Sequence, residues 1–336
     1  MDKVPAVLAR AQQTCGGALR RAVQKLPAEI ILPVSYHLGW SDAEGNPASS
    51  SGGKGIRSAL CLLSAEAVGV EAAVAVPAAT AVELVHNFSL LHDDVIDDDR
   101  QRRHRPTVWS LWGIGQAVIA GDALLSLAHE VLIEAPSPYA FDAARRLARA
   151  TSAMIAGQAQ DMAAEGCHSV SLEACEATEK AKTAELLAAA ASLGAVLAGA
   201  EASWVETLER YGTELGMAFQ ATDDILGIWG DSAVTGKPAW SDLRRSKATL
   251  PIAAALANGG GAAQELEALL VGGMETEDQL ARAAALIEET GGRAHAERVA
   301  NQSLQNAIDA LWSAPLQPGP VKEMIEVANF VLDRDF

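Results

Sequence analysis

The amino-acid sequence predicts an all-α protein. Apolar residues make up 49% of its 336 residues and are mainly Ala and Leu, whereas aromatic residues make up only 4%. This mixture favours helix over strand. Clusters of Gly, Pro and Ser interrupt the helical pattern and predict five loops, at residues 40–53, 134–138, 230–241, 258–261 and 313–320. Composition does not change between these loops, and we therefore expect a single helical domain over residues 1–336.

The overall charge and hydropathy restrict the possible partners. The formal net charge is −17, which argues against a nucleic-acid-binding surface, because such a surface requires a basic patch or stripe. The N-terminus lacks the apolar core of a signal peptide. The longest apolar stretch, residues 186–200, is interrupted by Ser192, Gly194 and Gly199. We expect it to form a buried helix, and we expect no membrane span.

The cysteines indicate a reducing compartment. Cys15, Cys61, Cys167 and Cys175 have neither CxxC spacing nor the accompanying histidines of a zinc site. Free thiols are the default for such cysteines, and they persist where disulfides are kept reduced. We therefore expect a cytoplasmic protein.

A first acidic helix is predicted from about residue 77 to residue 98. Asp93 and Asp97 are four residues apart and share a face, and Asp94 and Asp98 form an adjacent row. So many like charges destabilise a helix end unless a cation lies there. Carboxylates, water and substrate phosphate are the ligands that Mg2+ takes. An isolated acidic run of this kind is more often a solvated helix end.

A second predicted helix, residues 204–228, strengthens the metal interpretation. Gln220, Asp223, Gly227 and Asp231 follow a helical spacing and form another stripe, with Asp224 beside it. Two acidic stripes on separate helices can face each other across a cavity.

Basic residues follow the first acidic cluster. They are Arg100, Arg102, Arg103, His104 and Arg105. The arginine fork matches phosphate oxygens, so carboxylates beside arginines suit a metal-bound diphosphate. Mutual neutralisation by surface salt bridges is the competing interpretation.

A glycine-rich segment supplies a second basic site. Gly52 and Gly53 permit close approach of an anion to the backbone, and Lys54 and Arg57 are three residues apart on a beginning helix. The spacing is not that of a P-loop. By itself, this segment is common loop chemistry.

Taken together, these residues resemble the trans-isoprenyl diphosphate synthase family along most of the chain. The shared segments occur in order at residues 52–57, 83–97, 102–107, 120–125, 157–162, 182–186, 216–231, 235–238 and 241–251. The resemblance implies the isoprenoid synthase fold, a bundle of about a dozen helices around a central cavity, usually as a homodimer. Asp93 and Asp97 would coordinate Mg2+ from one side, and Asp223, with Asp242 as a possible further ligand, from the other.

The resemblance also implies two diphosphate sites. The allylic diphosphate, bound to the metal, would contact Arg102, Lys182, Lys237 and Lys247. Isopentenyl diphosphate would occupy a metal-free pocket of Gly53, Lys54, Arg57, His86 and Arg103. On helical spacing His86 shares a face with Ser89, Asp93 and Asp97, although a core histidine bonded to a backbone carbonyl would show the same pattern.

The implied reaction is ionisation, condensation and elimination. Mg2+ and cationic side chains stabilise the departing diphosphate, and the double bond of isopentenyl diphosphate attacks the allylic cation. Released diphosphate takes the proton, so no protein nucleophile is needed. Thr183, Gln220 and the Lys182 carbonyl would stabilise positive charge, and Phe219 would help to line the cavity.

Three departures from the family pattern bear on specificity. Gly227 stands where the second motif usually ends in aspartate, His104 replaces a usual glycine, and Trp109 replaces a frequent histidine. These replacements resemble an actinobacterial branch associated with geranylgeranyl diphosphate. Phe88 and Ser89, five and four residues before Asp93, are the candidates that set chain length. An aromatic at Phe88, together with a first acidic motif that lacks a two-residue insertion, resembles short-chain synthases of the C20 type. C15 is the next alternative, C25 or longer ranks below it, and simple packing is the competing role of Phe88.

Two other functions remain open. A class I terpene cyclase also binds a diphosphate through Mg2+, but Gly227 breaks its usual second motif, and it needs no second diphosphate pocket. A regulatory subunit of a heteromeric synthase would have degraded acidic motifs, whereas both motifs here keep their leading aspartate pairs.

Overall fold

The computed structural model describes residues 4–48, 53–164, 170–230 and 239–332. Helices dominate these residues, as predicted. The N-terminal part contains α1 (Ala6–Val23), α2 (Ala28–His37), α3 (Ile56–Ala67), a 3-10 turn (Ala72–Ala75), α4 (Val76–Ile96), strands β1 (Gln101–Arg102) and β2 (Arg105–Pro106), α5 (Val108–Trp112), α6 (Ile114–Ile133) and α7 (Ala140–Ala164).

The C-terminal part is also helical. It contains α8 (Leu172–Glu179), a π-helical turn (Lys180–Ala184), α9 (Glu185–Leu197), α10 (Ala202–Trp229), α11 (Ser241–Arg244), α12 (Leu250–Asn258), α13 (Gly260–Gly272), α14 (Glu277–Glu289), α15 (Gly292–Leu311) and α16 (Pro318–Leu332). The two acidic helices predicted from the sequence are α4 and α10, and each differs from its predicted bounds by only one or two residues at either end.

The chain divides into two compact units. The first comprises Met1–Thr151, Ala189–Glu209 and Leu311–Val327, and the second comprises Ser152–Ala188, Arg210–Ala310 and Ala328–Phe336. Each unit is assembled from separate stretches of the chain. The expectation of a single domain stays a prediction.

Helix α4 is the centre of the first unit. It packs against α6, α3 and α1, and its apolar residues from Ala78 to Leu91, except Leu90, are buried. An apolar surface on all sides explains this burial. In the same unit, a Cβ atom on Gly194 would overlap the carbonyl oxygen of Cys61. The glycine therefore permits α9 to approach α3 closely.

Two helices are long and apolar enough to cross a membrane by length and composition alone. They are the continuous helical segment Ala72–Ile96 and helix Ile114–Ile133, and 61% and 39% of their apolar windows are buried within the protein. The first has the burial of a core helix. The expectation that the chain does not span a membrane stays a prediction.

The core of the second unit lies among its C-terminal helices. Leu243, Leu266, Leu280, Leu286 and Ile287 are buried together with Ile228 and Ile252. In this way the core fixes the segment that follows α10, where Asp242 and Lys247 lie.

The hairpin of β1 and β2 was not predicted. Its strands pair antiparallel around Arg103 and His104, which have φ angles of 52° and 60°. Positive φ at both central residues characterises the tight two-residue turn that matches strand twist, and such turns usually contain Gly or Asn. His104 therefore occupies a left-handed position that a glycine would adopt at no steric cost.

Two of the predicted loops are shorter than expected. Helix α13 begins at Gly260, one residue after the break at Gly259, and α16 begins at Pro318. Gly259 and Gly260, with φ 67° and 88°, together separate α12 from α13. Proline is accepted in the first turn of a helix, where its missing N–H has no intrahelical partner to lose.

Candidate active site

Cationic side chains converge in the first unit, in a group here called the cationic cluster: Arg57, His86, Arg102 and Arg103. Arg57 Nη1 lies 3.5 Å from His86 Nε2. Burial lowers the pKa of His86 well below its ordinary value, and the neighbouring arginines, Arg57 first, lower it further. Because arginine only donates hydrogen bonds, the neutral His86 ring accepts at Nε2.

Gly53 allows Arg103 to lie against the backbone. A Cβ atom on Gly53 would come within 3.3 Å of Arg103 Nη2, and the Gly53 carbonyl accepts a hydrogen bond of 2.9 Å from Gln12 Nε2. Burial, and then the charge of Arg102, lowers the pKa of Arg103. Arginine nevertheless remains charged in proteins, so this pocket holds positive charge within an acidic chain.

The sequence suggested that Lys54 and Arg57 both lie on the beginning of a helix. In the structure, Lys54 lies instead on the segment that leads into α3. It is exposed, and Gly55, with φ 72°, precedes the first helical residue, Ile56. The left-handed glycine turns the chain here, so Lys54 and Arg57 do not share a helical face. The structure brings Gly53, Arg57, His86 and Arg103 together.

The carboxylates at the end of α4 have different environments. Asp93 and Asp97 are partly buried, with Asp97 at the C-cap, whereas Asp98 is exposed and has left the helix with φ 53°. Asp94 is buried and accepts a 2.6 Å hydrogen bond from Arg102 Nε. Burial raises the pKa of Asp94 to about 6, opposed by Arg102. Asp94 therefore binds the hairpin, which distinguishes it from Asp93 and Asp97.

Phe88 is a buried residue of α4. It is 5% exposed, and its ring meets His92 edge to face at 4.8 Å between centroids. His92 in turn lies against Gly121, where a Cβ atom would overlap its ring, and its Nε2 is 3.1 Å from the Val118 carbonyl. Phe88 thus packs against His92, and His92 is itself held against α6. Ser89 donates a hydrogen bond to its own helix, at the His86 carbonyl.

The second unit places Lys182 and Thr183 on the π-helical turn. Gly157 and Gly216 pack against this turn so closely that a Cβ atom on either would clash with its backbone. Single π turns inside α-helices frequently occur at functional sites. Lys182 Nζ pairs with Asp161, and Thr183 Oγ1 donates a 2.7 Å hydrogen bond to Gln220 Oε1.

Asp224 anchors this group. It accepts hydrogen bonds from Gln220 Nε2 at 2.7 Å and from the Leu250 backbone N–H at 2.9 Å. Burial raises the pKa of Asp224, and it raises that of the neighbouring Glu179 well above the ordinary value. Asp224 therefore fixes Gln220.

Asp242 occupies the space that a side chain at Gly227 would fill. A Cβ atom on Gly227 would overlap the Asp242 carboxylate, and Ser241 Oγ donates a 3.2 Å hydrogen bond to the Gly227 carbonyl. The missing aspartate of the second motif thus has a neighbouring carboxylate in its place. Asp223 lies on the same helix and is partly buried.

Some predicted residues fall outside this description. Lys237 and Asp231 lie outside the described residues, as does Cys167. Among the described cysteines, Cys15, Cys61 and Cys175 are free and buried.

Within the part of the chain that the structure describes, no three His, Cys, Asp or Glu side chains form a group that could hold a metal ion. The Mg2+ ligand set therefore stays a prediction.

Comparison with known proteins identifies the family. The polyprenyl synthetase model matches residues 43–287. The chain belongs to the polyprenyl synthetase family. It is 46% identical to a (2E,6E)-farnesyl diphosphate synthase of Mycobacterium tuberculosis over 98% of this chain and 92% of that one. It is 42% identical to a geranylgeranyl diphosphate synthase of the same organism, covering 99% and 95%.

Solved structures agree with this assignment. A polyprenyl synthetase of Streptomyces coelicolor A3(2) superposes with a TM-score of 0.93 at 47% identity, covering 98% of this chain and all of that one. The prediction of an all-α protein with the isoprenoid synthase fold is confirmed, as is the resemblance to actinobacterial prenyl diphosphate synthases.

Sequence reasoning missed several residues of the candidate site. Asp161 and Glu179 are acidic residues on helices, and the sequence gives no sign that one pairs with Lys182 and the other is buried beside Asp224. Gly157 lies in a segment that resembles the family, and a glycine there is a signal for close approach of another backbone segment. Its spacing in the sequence does not show that the approaching segment is the π-helical turn at Lys182.

Breaking the Arg102–Asp94 pair should measurably destabilise the protein. In Arg102→Met, Asp94, whose side chain is 2% exposed, loses its partner. We expect a loss of about 2 kcal/mol at neutral pH, below the roughly 3–5 kcal/mol for a fully buried pair, because the Arg102 side chain is 30% exposed. Because Arg102 lowers the pKa of Asp94, this pKa is higher in the variant than the wild-type value of about 6; the loss should therefore shrink as pH falls towards 6 and level off below it, where Asp94 is protonated in both proteins.

Urea unfolding at several pH values measures this effect. Arg145→Met is the matched control, because Arg145 is 62% exposed and pairs with Asp142 at the surface, where such a pair contributes at most about 1 kcal/mol. Equal losses in the two variants at neutral pH would show that Asp94 does not depend on Arg102.

Proposed function

We propose that this protein is a short-chain trans-prenyl diphosphate synthase that joins isopentenyl diphosphate to an allylic diphosphate, with Mg2+ as its metal. One observation carries the reaction: the cationic cluster lies beside the carboxylate-bearing end of α4 in one compact unit. Carboxylates with a metal suit one diphosphate, whereas arginines suit a second diphosphate without a metal. Two diphosphate substrates therefore fit this chain better than the single substrate of a terpene cyclase.

The proposed metal ligands are Asp93, Asp97, Asp223 and Asp242. All are carboxylates, the hard donors that Mg2+ prefers. The space above Gly227, filled by the Asp242 carboxylate, supports including Asp242. Asp94 and Asp224 are not included, because both are buried, at 1% and 4% exposure, and bonded to Arg102 and to Gln220.

The remaining residues bind and orient the two substrates. Arg102, Lys182, Lys237 and Lys247 would hold the allylic diphosphate. Gly53, Lys54, Arg57, His86 and Arg103 would hold isopentenyl diphosphate. When bound, Mg2+ would neutralise charge on the departing diphosphate. Thr183 and Gln220 would present oxygen atoms to the allylic cation, and the released diphosphate would take the proton that condensation liberates.

We propose a C20 product, geranylgeranyl diphosphate, with C15 as the alternative. The support is the burial of Phe88 against His92, one helical turn before the carboxylates of α4. A large side chain fixed in this way can stop a growing apolar tail by steric contact, because a packed interior yields little.

Product analysis tests both the reaction and the product length. Purified protein is incubated with Mg2+, isopentenyl diphosphate and dimethylallyl, geranyl or farnesyl diphosphate. We expect geranylgeranyl diphosphate from the wild type and longer products from Phe88→Ala, because truncation opens space below the acidic motif. Trp312→Ala, an aromatic truncation at a 60% exposed position, is the control and should leave product length unchanged.

The outcomes separate the alternatives. A C15 product from the wild type would refute the C20 assignment and leave the reaction intact. Consumption of the allylic diphosphate without isopentenyl diphosphate, releasing a hydrocarbon or an alcohol, would establish a cyclase. No turnover by the purified chain would support the regulatory-subunit alternative.

The role of Asp242 can be tested through Gly227. In Gly227→Ala the new methyl group displaces the Asp242 carboxylate, and we expect Mg2+ affinity to fall roughly 10- to 100-fold, as when groups that orient metal ligands are lost. Titration calorimetry with Mg2+ and a non-hydrolysable allylic diphosphate analogue measures it. Gly272→Ala, a glycine with no neighbouring atom within 4 Å of a Cβ, is the control. Unchanged affinity in Gly227→Ala would exclude Asp242 from the ligand set.

We also propose that the protein forms a homodimer through the apolar surface of α5 and α6. Leu111, Ile114, Val118 and Ile119 are exposed there, and contiguous exposed apolar side chains mark interaction sites. Sedimentation velocity should show a dimer for the wild type and a monomer for Ile114→Glu/Val118→Glu. Val271→Glu, at another exposed apolar position, should remain dimeric. A monomeric wild type, or a double variant that stays dimeric, contradicts this interface.

A further inference from the structure

The hairpin of β1 and β2 is too small to hold its own shape. A two-stranded hairpin is marginally stable at best in water. Each strand here has two residues, and Pro106 has no N–H to donate to its partner strand. The turn residues Arg103 and His104 have positive φ angles, which cost energy. The position of Arg103 therefore depends on contacts between the strands and the rest of the first unit.

Strand β2 is attached to α2 and the segment that follows it through Arg105. The Nη1 atom of Arg105 donates a 3.2 Å hydrogen bond to the Tyr36 carbonyl, and Nη2 donates a 3.0 Å hydrogen bond to the Ser41 carbonyl. The guanidinium carbon lies 4.0 Å from the centre of the Tyr36 ring, which is a cation–π distance. Bonding two carbonyls while stacking on a ring requires the planar fork of arginine.

Tyr36 bonds strand β2 in return. Its hydroxyl donates a 2.8 Å hydrogen bond to the Pro106 carbonyl. Tyr36 is 6% exposed, and its ring meets Trp112 edge to face at 5.1 Å between centroids. Arg105 thus bonds the backbone at Tyr36, and the Tyr36 side chain bonds the backbone of β2. These reciprocal bonds fix the strand to a buried residue.

We propose that Arg105 is a positioning residue for isopentenyl diphosphate: it fixes strand β2 to Tyr36 and Ser41 and thereby holds Arg103 beside Gly53. This role rests on the proposed function. Arg105 belongs to the same basic run as Arg103, but its guanidinium is turned to two carbonyls and a ring. It therefore acts on the substrate through the hairpin and does not contact it.

The two substrates should respond differently to a change at Arg105. Arg102, proposed to hold the allylic diphosphate, keeps its own bond to Asp94. Arg103 has the strained turn position and depends on both strands. Loosening β2 should therefore weaken the binding of isopentenyl diphosphate and leave that of the allylic diphosphate nearly unchanged. General damage to the fold would change both.

Two substitutions separate position from charge. Arg105→Lys keeps the positive charge but loses the planar fork, whereas Arg105→Met loses both. We expect KM for isopentenyl diphosphate to rise roughly 10-fold in both variants, less than the roughly 100-fold that a 1 Å misplacement can cost. KM for the allylic diphosphate should stay within about threefold of wild type. Tyr36→Phe, which removes the hydroxyl without a change of charge, should raise the same KM by a smaller factor.

Arg20→Met is the matched control. Arg20 also stacks on an aromatic ring, at 4.4 Å from the centre of Trp40, but it lies on α1. Its loss removes one positive charge and should leave both KM values unchanged. A wild-type KM for isopentenyl diphosphate in Arg105→Lys would show that Arg105 acts through its charge and would overturn the proposal. So would an equal rise of both KM values in Arg105→Met.

Hydrogen–deuterium exchange tests the attachment of the hairpin without turnover. In Arg105→Met, backbone amides of residues 101–107 should exchange faster than in wild type, while those of α15 keep their rates, because only the hairpin is loosened. Unchanged exchange in residues 101–107 contradicts the proposal. If the wild type does not join isopentenyl diphosphate to an allylic diphosphate, the proposed function fails, while exchange still decides whether Arg105 fixes the hairpin.

Discussion

The ion pair between Arg102 and Asp94 ties the hairpin to the acidic end of α4, and the cationic cluster depends on it. With Arg102 fixed at the end of β1, the next residue, Arg103, enters the turn in a left-handed conformation that costs energy for any residue except glycine. That turn directs its guanidinium to Gly53. A buried pair of this kind contributes little net stability but is costly to break, so its main effect is to hold the hairpin in one position.

In the second unit, close backbone packing holds the candidate site residues in position. Gly157 and Gly216 admit the π-helical turn, and Gly227 admits the Asp242 carboxylate. A methyl group at any of these positions would meet atoms that cannot move without shifting a helix or a carboxylate. The departure at Gly227 therefore does not remove an acidic group from this region, because a carboxylate from another segment takes the same space. This explains how a motif can lack its last aspartate and still present a carboxylate there.

The sequence predicted the helices that carry the acidic motifs because α4 and α10 are long and strongly periodic. It also predicted that Gly53, Arg57, His86 and Arg103 belong together, but only through the family resemblance. The hairpin escaped prediction because Arg and His occupy a turn that Gly or Asn usually marks. Glu179 escaped because an acid on a helix is usually solvated, and its burial depends on residues distant in sequence. The hairpin and the burial of Glu179 were not predicted for the same physical reason. Both depend on tertiary contacts, which leave no local pattern in the sequence.

Product length depends on a few side chains and not on the fold. A farnesyl and a geranylgeranyl diphosphate synthase both match this chain over nearly its whole length, so overall similarity does not separate a C15 from a C20 product. Discrimination between tails that differ by one isoprene unit is a local steric matter, since apolar pockets reject excess length only by contact. If Phe88 limits product length as proposed, its ring packs against His92, whose ring Gly121 admits against α6. A side chain at Gly121 would then act on product length through His92 and Phe88, without any change at Phe88 itself.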